Sequence, residues 1–363
     1  MKVATVVGAR PQFIKAAVLS PELEGLGIGE CLIHTGQHYD YNMSRGFFVE
    51  LKIREPDYFL EVGSAPHGLQ TGEMMKRLEP LLEKEEPDWV LVYGDTNTTL
   101  AAALVAAKLQ RRLVHVEAGL RSFDKAMPEE INRIVTDHLA TLLFAPTANA
   151  AQNLKREGIH DGVCIVGDLM VDLAMKTASS LPSRPDVLSH LDVQPKQFAF
   201  ATIHRAANTD DVGALRRILM GLERLNLPVV LPAHPRIKRQ LHQLRQSLGL
   251  HNLRVCEPVT YTDSIALQLH ARVVLTDSGG IQKESYVLGT PCVTLRHETE
   301  WTETLADGWN VLAGQDPQTI AKVALREKPH RAPVPVYGVG QAGIKIAGTI
   351  SAYKNSTERL AAG

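Results

Sequence analysis

Charged and small polar residues in this sequence collect directly behind short apolar runs, and five such clusters hold residue types that can do chemistry. The first is GARPQFIK, residues 8–15, where Arg10 and Lys15 flank the start of a helix. A helix start favours an anion, and two cations there either serve one or are simply solvated. The stretch is neither GxGxxG nor GK[ST], so the dinucleotide and P-loop motifs are both missing at this position. The second cluster, VYGDT (92–96), sets Asp95 behind a strand. A carboxylate there is either an N-cap, a role Thr96 can share, or a site acid. In the third, HVEAGLRSFDKAMPEEINR (115–133), Glu117 ends a buried strand, where charge is costly unless paired or used. Pro128 opens a helix; Glu129 and Glu130 together exceed what its dipole needs, and Arg133 lies one turn on. The fourth, ATIHRAAN (201–208), carries His204. The fifth, LTDSGGIQKES (275–285), opens a helix with Ser278, Gly279 and Gly280, whose N–H groups would suit a diphosphate. Glu284, one turn further, can accept both hydroxyls of a ribose; an ordinary glycine turn is the alternative, and Asp-Ser-Gly-Gly is more than a turn needs.

The elements that must position these residues follow from hydrophobic pattern. Short apolar runs at 2–8, 30–34, 89–93, 113–117, 142–145 and 163–166 read as strands. Amphipathic stretches at 69–86, 98–109, 129–139 and 147–157 separate them. This is a βαβ pattern, and it predicts a mostly parallel sheet covered on both faces. Residues 181–196 hold three prolines and little periodicity, which predicts a connector. The alternation resumes with strands at 198–202, 229–232, 253–256, 272–276 and 292–295. Two α/β domains are therefore expected, 1–180 and 197–340, with a helix at about 341–357 packing back on the first. Ligands of such sheets sit beyond the carboxyl ends of the strands, which is where all five clusters fall.

Composition removes several classes. Of 363 residues, 44% are hydrophobic and 22% charged, which excludes a disordered chain. The formal net charge of −1 argues against a general nucleic-acid or anionic-membrane binder. No apolar run reaches about 18 residues, so no transmembrane helix is expected, and MKVATVVGAR reads as a core strand rather than a signal peptide. Cys31, Cys164, Cys256 and Cys292 lie far apart without a CxxC, which predicts free thiols in a reducing cytoplasm. His115, His234 and His297 have no metal-ligand spacing, so no metal site is expected.

Taken together, the segments resemble the non-hydrolysing UDP-N-acetylglucosamine 2-epimerases. The resemblance runs through GARPQFIK, HTGQHYDYNM (34–43), HGLQTGEM (67–74), VYGDTNTT (92–99), HVEAGLRS with MPEEINR, TIHRA, TDSGGIQKE and TEWTET (299–304), in this order. It implies the GT-B architecture: α/β, with two Rossmann-like domains, mostly parallel sheets and a central cleft for a UDP-sugar. It implies interconversion of UDP-GlcNAc and UDP-ManNAc by anti elimination of UDP to 2-acetamidoglucal, then re-addition after C2 is protonated on the other face. No cofactor is implied. Asp95, Glu117 and Glu129 match the family's catalytic carboxylates; Glu117 and Glu129 would exchange the C2 proton, with Asp95 in support. His204 matches the histidine near the glycosidic oxygen and diphosphate. Arg10, Lys15 and Arg133 match cationic positions, Ser278 and Gly279 the diphosphate cradle, and Glu284 the ribose glutamate. A cytoplasmic homodimer is implied.

Three departures qualify the match. Ala207 stands where the family usually carries glutamate. Gln37-His38-Tyr39-Asp40 replaces the Gln-His-x-Gln/Glu segment of an activating UDP-GlcNAc site, which speaks against that regulation here. GARPQFIKA, His234-Pro235-Arg236 and TEW resemble a branch that includes epimerases of UDP-2,3-diacetamido-glucuronic acid. A GT-B glycosyltransferase is the rival class, and the carboxylates Glu117 and Glu129 favour the epimerase.

Overall fold

The structure, a computed structural model, describes residues 1–37, 53–233 and 237–361, with side chains to Tyr353. Residues 38–40 of the Gln37–Asp40 segment, read as departing from the family's activating site, and His234-Pro235-Arg236 lie outside the described residues. Contacts divide the chain into two compact units, Met1–Leu173 with Val336–Gly363, and Ala174–Pro335.

The first unit is a parallel sheet of β1 (Lys2–Val7), β2 (Gly29–His34), β3 (Tyr58–Phe59), β4 (Trp89–Tyr93), β5 (Arg112–Val116), β6 (Leu142–Ala145) and β7 (Val163–Ile165). Its order is β3-β2-β1-β4-β5-β6-β7. Both faces are buried, which is why these strands read as unbroken apolar runs. Val3 and Val7 of β1 join Trp89, Leu91 and Tyr93 of β4 in one core. Ala4 and Val6 join Val90 and Val92 in the other, as a two-residue period requires. The covering helices are α1 (Arg10–Gly25), α2 (His67–Glu85), α3 (Asn97–Lys108), α4 (Pro128–Leu139) and α5 (Ala148–Arg156). Thr96 caps α3 by accepting the Thr99 N–H, and Thr147 caps α5 by accepting that of Ala150.

The division between units falls within α6 (Leu169–Ser180). Short α7 (Asp186–His190) follows in the proline-rich stretch read as a connector, one helical turn behind Pro185. The second unit holds β8 (Ala199–Thr202), α8 (Ala206–Thr209), α9 (Val212–Glu223), β9 (Val229–Pro232), α10 (Lys238–Leu248), β10 (Leu253–Cys256) and α11 (Tyr261–His270). It continues with β11 (Val273–Thr276), α12 (Gly279–Val287), β12 (Cys292–Thr294), β13 (Asn310–Leu312) and α13 (Pro317–Ala324). The sheet is parallel, in the order β10-β9-β8-β11-β12-β13. Leu215, Ile218, Leu219 and Leu222 of α9, at helical spacing, bury against Ala199, Ala201 and Leu231. The last helix, α14 (Ala342–Ala361), belongs to the first unit, where Ala342, Ile346 and Ile350 pack with Leu19 and Leu23 of α1.

Each sheet reverses its strand order once, between β1 and β4 and between β8 and β11. Such switch points open a crevice at the carboxyl ends of the strands. Arg10 and Asp95 follow the first pair, and His204 and Ser278 the second. All four cysteines are free thiols, with Cys31 and Cys292 buried and the other two half-buried. Among the described residues no helix is long and apolar enough to cross a membrane.

Candidate active site

In the first unit a buried amide joins the two turns at the switch point. Gln12 accepts the N–H groups of Gly8 and Ala9 at 2.8 and 3.0 Å, and donates to the Tyr93 carbonyl and the Thr96 and Thr99 hydroxyls. Beside it Lys15, buried on α1, forms an ion pair with Glu117, whose side chain is 14% exposed. The reading of Arg10 and Lys15 as two solvated cations therefore separates: Arg10 is exposed, whereas Lys15 is committed to a carboxylate. Glu117 has φ +73°, a left-handed conformation that a non-glycine residue adopts at a cost. Its own N–H and that of Ala118 both donate to the Phe144 carbonyl, which holds the turn. Gly94 makes room for it: φ is +62°, and a Cβ there would lie 3.1 Å from Glu117 Oε2.

Asp95 accepts Arg133 Nη2 at 2.5 Å, and Arg133 Nη1 donates to Glu130 at 2.9 Å. Burial raises the Asp95 pKa and Glu117 adds to this, against the pull of Arg133. The adjacent glutamates of α4 have different environments. Glu130 is buried and accepts the Ser122 and Phe123 N–H groups, each at 2.9 Å. Burial pushes its pKa up, but those amides and Arg133 outweigh it and hold it low. Glu129 is exposed in the first turn and stands outside this network.

Under both turns lies a group that the sequence reading used only to exclude metal spacing. His115, fully buried, has Nδ1 2.7 Å from Asp137 Oδ1 and Nε2 2.8 Å from the Gly94 carbonyl. Asp137 also accepts the Gly119 N–H at 3.1 Å and pairs with Arg121 at 2.7 Å. Burial alone would raise the Asp137 pKa; His115 and Arg121 bring it below the usual carboxylate range.

In the second unit, the turns after β8 and β11 meet through Asp277. This fully buried carboxylate accepts the N–H groups of His204 and Arg205 and the side-chain amide of Asn208, and sits 2.9 Å from His204 Nδ1. Burial raises its pKa, but these contacts more than offset that and hold it low. Ser278 is the N-cap of α12, so Gly279 and Gly280 form its first turn. Gly279 leaves a tight space there: a Cβ would lie 2.6 Å from Glu300 Oε1 and 2.7 Å from Trp301 Nε1. Arg296 and Arg205 donate to Glu300 at 2.9 and 3.3 Å. Glu284, buried on α12, accepts Gln268 Nε2 at 2.7 Å.

Lys15, Asp95, Glu117 and Arg133 thus converge in one unit, and His204, Ser278, Gly279 and Gly280 border one pair of turns in the other. An acid-base pair beside a half-buried carboxylate suits proton transfer, and a glycine-rich helix start suits phosphate. Sequence reasoning passed over Gln12, Asp137, Gln268 and Asp277. The signal for Asp277 was available: it is an acid directly behind a buried strand, as Asp95 and Glu117 are.

The model of the UDP-N-acetylglucosamine 2-epimerase family matches residues 24–351. The chain belongs to this family. The family is one of isomerases, and the paired parallel sheets are its fold. Among relatives, a UDP-N-acetylglucosamine 2-epimerase homolog of Methanococcus maripaludis is 46% identical, covering 95% of this chain and 98% of its own. The UDP-2,3-diacetamido-2,3-dideoxy-D-glucuronate 2-epimerase of Pseudomonas aeruginosa is 45% identical over 96% and 98%. The crystal structure of Methanocaldococcus jannaschii UDP-GlcNAc 2-epimerase in complex with UDP-GlcNAc and UDP is similar at a TM-score of 0.82. It is 39% identical, covering 97% of this chain and 99% of that one.

Proposed function

We propose that the chain interconverts UDP-GlcNAc and UDP-ManNAc by anti elimination and re-addition of UDP. The observation that carries this reading is the Lys15–Glu117 pair beside the Asp95–Arg133 pair at the strand ends of an epimerase-family chain. The C2 hydrogen of an N-acetylhexosamine is not acidic, so departure of UDP must accompany its removal. That demands acid and base groups near the sugar and cationic and N–H groups for the diphosphate. Glu117 and Glu129 exchange the C2 proton, Asp95 supports them, and Arg10, Lys15 and Arg133 supply positive charge. His204 assists the leaving oxygen, Ser278, Gly279 and Gly280 cradle the diphosphate, and Glu284 takes the ribose. The enzyme works without a cofactor, as a cytoplasmic homodimer, which size-exclusion chromatography with light scattering tests.

Proton NMR of the protein in D2O with UDP-GlcNAc tests the reaction. Deuterium appears at C2 and the manno epimer accumulates; active turnover without C2 exchange would refute the mechanism. The similarity to the Pseudomonas aeruginosa enzyme favours a second substrate, UDP-2,3-diacetamido-glucuronic acid. The same spectrum recorded on that sugar decides between them.

A further inference from the structure

We propose that Asp277 is a positioning residue of this reaction, fixing the His204 ring with its proton on Nδ1 so that Nε2 faces the chemistry. The inference rests on the function proposed above.

Every orientation in the chain of contacts behind His204 is determined by its neighbour. Arg217 only donates, and its Nη2 lies 2.7 Å from Gln315 Oε1, which sets the Gln315 amide. Gln315 Nε2 then donates to Asn208 Oδ1 at 2.8 Å, which sets the Asn208 amide in turn. Asn208 Nδ2 is left to donate to the Leu295 carbonyl at 3.1 Å and to Asp277 Oδ2 at 3.0 Å. Asp277 Oδ2 also takes the Arg205 N–H at 3.0 Å, and Oδ1 faces His204 Nδ1 at 2.9 Å. An ionised carboxylate only accepts, so the proton between Asp277 and the ring is on Nδ1. A carboxylate needed only to hold the turn would be satisfied by the backbone and Asn208. The ring contact is additional, and it selects one of two imidazole tautomers.

The consequence for elimination balances. The base takes the C2 proton, the C2–H pair forms the C1=C2 double bond, and the bond from C1 to the diphosphate oxygen breaks with its electron pair going to that oxygen. The protonated ring shares its Nε2 proton there and returns to the neutral Nδ1–H form, while Asp277 stays ionised throughout. With the opposite tautomer the neutral ring presents an N–H at Nε2 and cannot take the proton back on re-addition.

The test uses 15N-histidine-labelled protein at alkaline pH, with the His204 signals assigned by their loss in His204→Gln. The wild-type ring shows a protonated Nδ1 and a bare Nε2. In Asp277→Asn the amide NH2 faces Nδ1 and the proton moves to Nε2. That variant loses about 10²- to 10⁴-fold in kcat, with KM nearly unchanged. Its affinity for UDP changes by less than about tenfold. Asp277→Glu, which keeps an acceptor-only group, retains the Nδ1–H tautomer and recovers part of the rate. A wild-type ring protonated on Nε2 overturns the proposal, even if Asp277→Asn does not fold. So does Asp277→Asn with wild-type kcat and pH profile. If neither UDP-sugar exchanges deuterium in the wild type, the function proposed above fails, and the spectrum separately reports whether Asp277 sets the tautomer.

Discussion

Glu129 and Glu130 are neighbours of the same type, and replacing each by glutamine separates chemistry from scaffold. Glu130 is 1% exposed and accepts three donors at 2.9 Å: the amides of Ser122 and Phe123 and Arg133 Nη1. Hydrogen bonds to a charged group contribute about 1.5–3 kcal/mol each. Glutamine keeps one acceptor and turns its NH2 toward another donor, so Glu130→Gln is expected to lose about 2–4 kcal/mol. Glu129 is exposed, and Glu129→Gln is expected to stay within about 0.5 kcal/mol of wild type. Activity reverses the order. Glu129→Gln loses about 10²- to 10⁴-fold in C2 exchange, as removal of an acid-base group does. Glu130→Gln, in which Arg133 still holds Asp95, stays within about 10²-fold. Urea unfolding followed by circular dichroism measures the first pair of numbers, and amide exchange at Ser122 and Phe123 locates the loss. Unchanged protection of those two amides in Glu130→Gln, or a larger destabilisation by Glu129→Gln, would refute the assignment.

Three further outcomes follow from the first unit. Burial raises the Asp172 pKa to about 6, with Asp168 and Glu22 adding to it and the Gly343 and Ala342 N–H groups opposing. A raised carboxyl stabilises the fold below its unfolded pKa, and that stability is lost as pH climbs from about 4 to about 6. Asp172→Asn should therefore match wild type near pH 4 and exceed it at pH 7 by about 1–2 kcal/mol after solvent screening, read from Tm at the two pH values. Gly94→Ala places a Cβ 3.1 Å from Glu117 Oε2 at φ +62°; it should cost about 1–2 kcal/mol in unfolding experiments and more in kcat than in KM. His115→Gln removes a fully buried ring that lies 2.7 Å from Asp137 Oδ1 and 2.8 Å from the Gly94 carbonyl, and should cost about 1–3 kcal/mol by the same unfolding measurement.

The strands that carry the site were legible because a parallel sheet buried on both faces writes itself as an apolar run. β1, β4 and β11 are such runs, and the residues behind them were legible with them. β3 and β13, of two and three residues, are too short to carry a period. The residue pattern alone did not separate Glu129 from Glu130; the choice of Glu129 came from the family resemblance. Both sit in the same helical turn, and only the path of the backbone at Ser122 and Phe123 separates them. Lys15 and Glu117, 102 positions apart, read as two separate charges until the β1 and β5 ends are brought together by β4 between them. Three of the groups missed, Gln12, Asp137 and Asp277, share one property. Each is a buried polar side chain whose donors or acceptors include backbone groups of a turn. Burial of such a group is costly unless its bonds are made, so each presupposes the turn it holds. Pattern reading recognises charge that has no place in a strand, which is how Asp95 and Glu117 stood out. It cannot recognise a polar residue whose justification is a carbonyl or amide many residues away. Asp277 belongs to both kinds: its position behind β11 marks it by the first rule, and its bonds to His204, Arg205 and Asn208 explain it by the second.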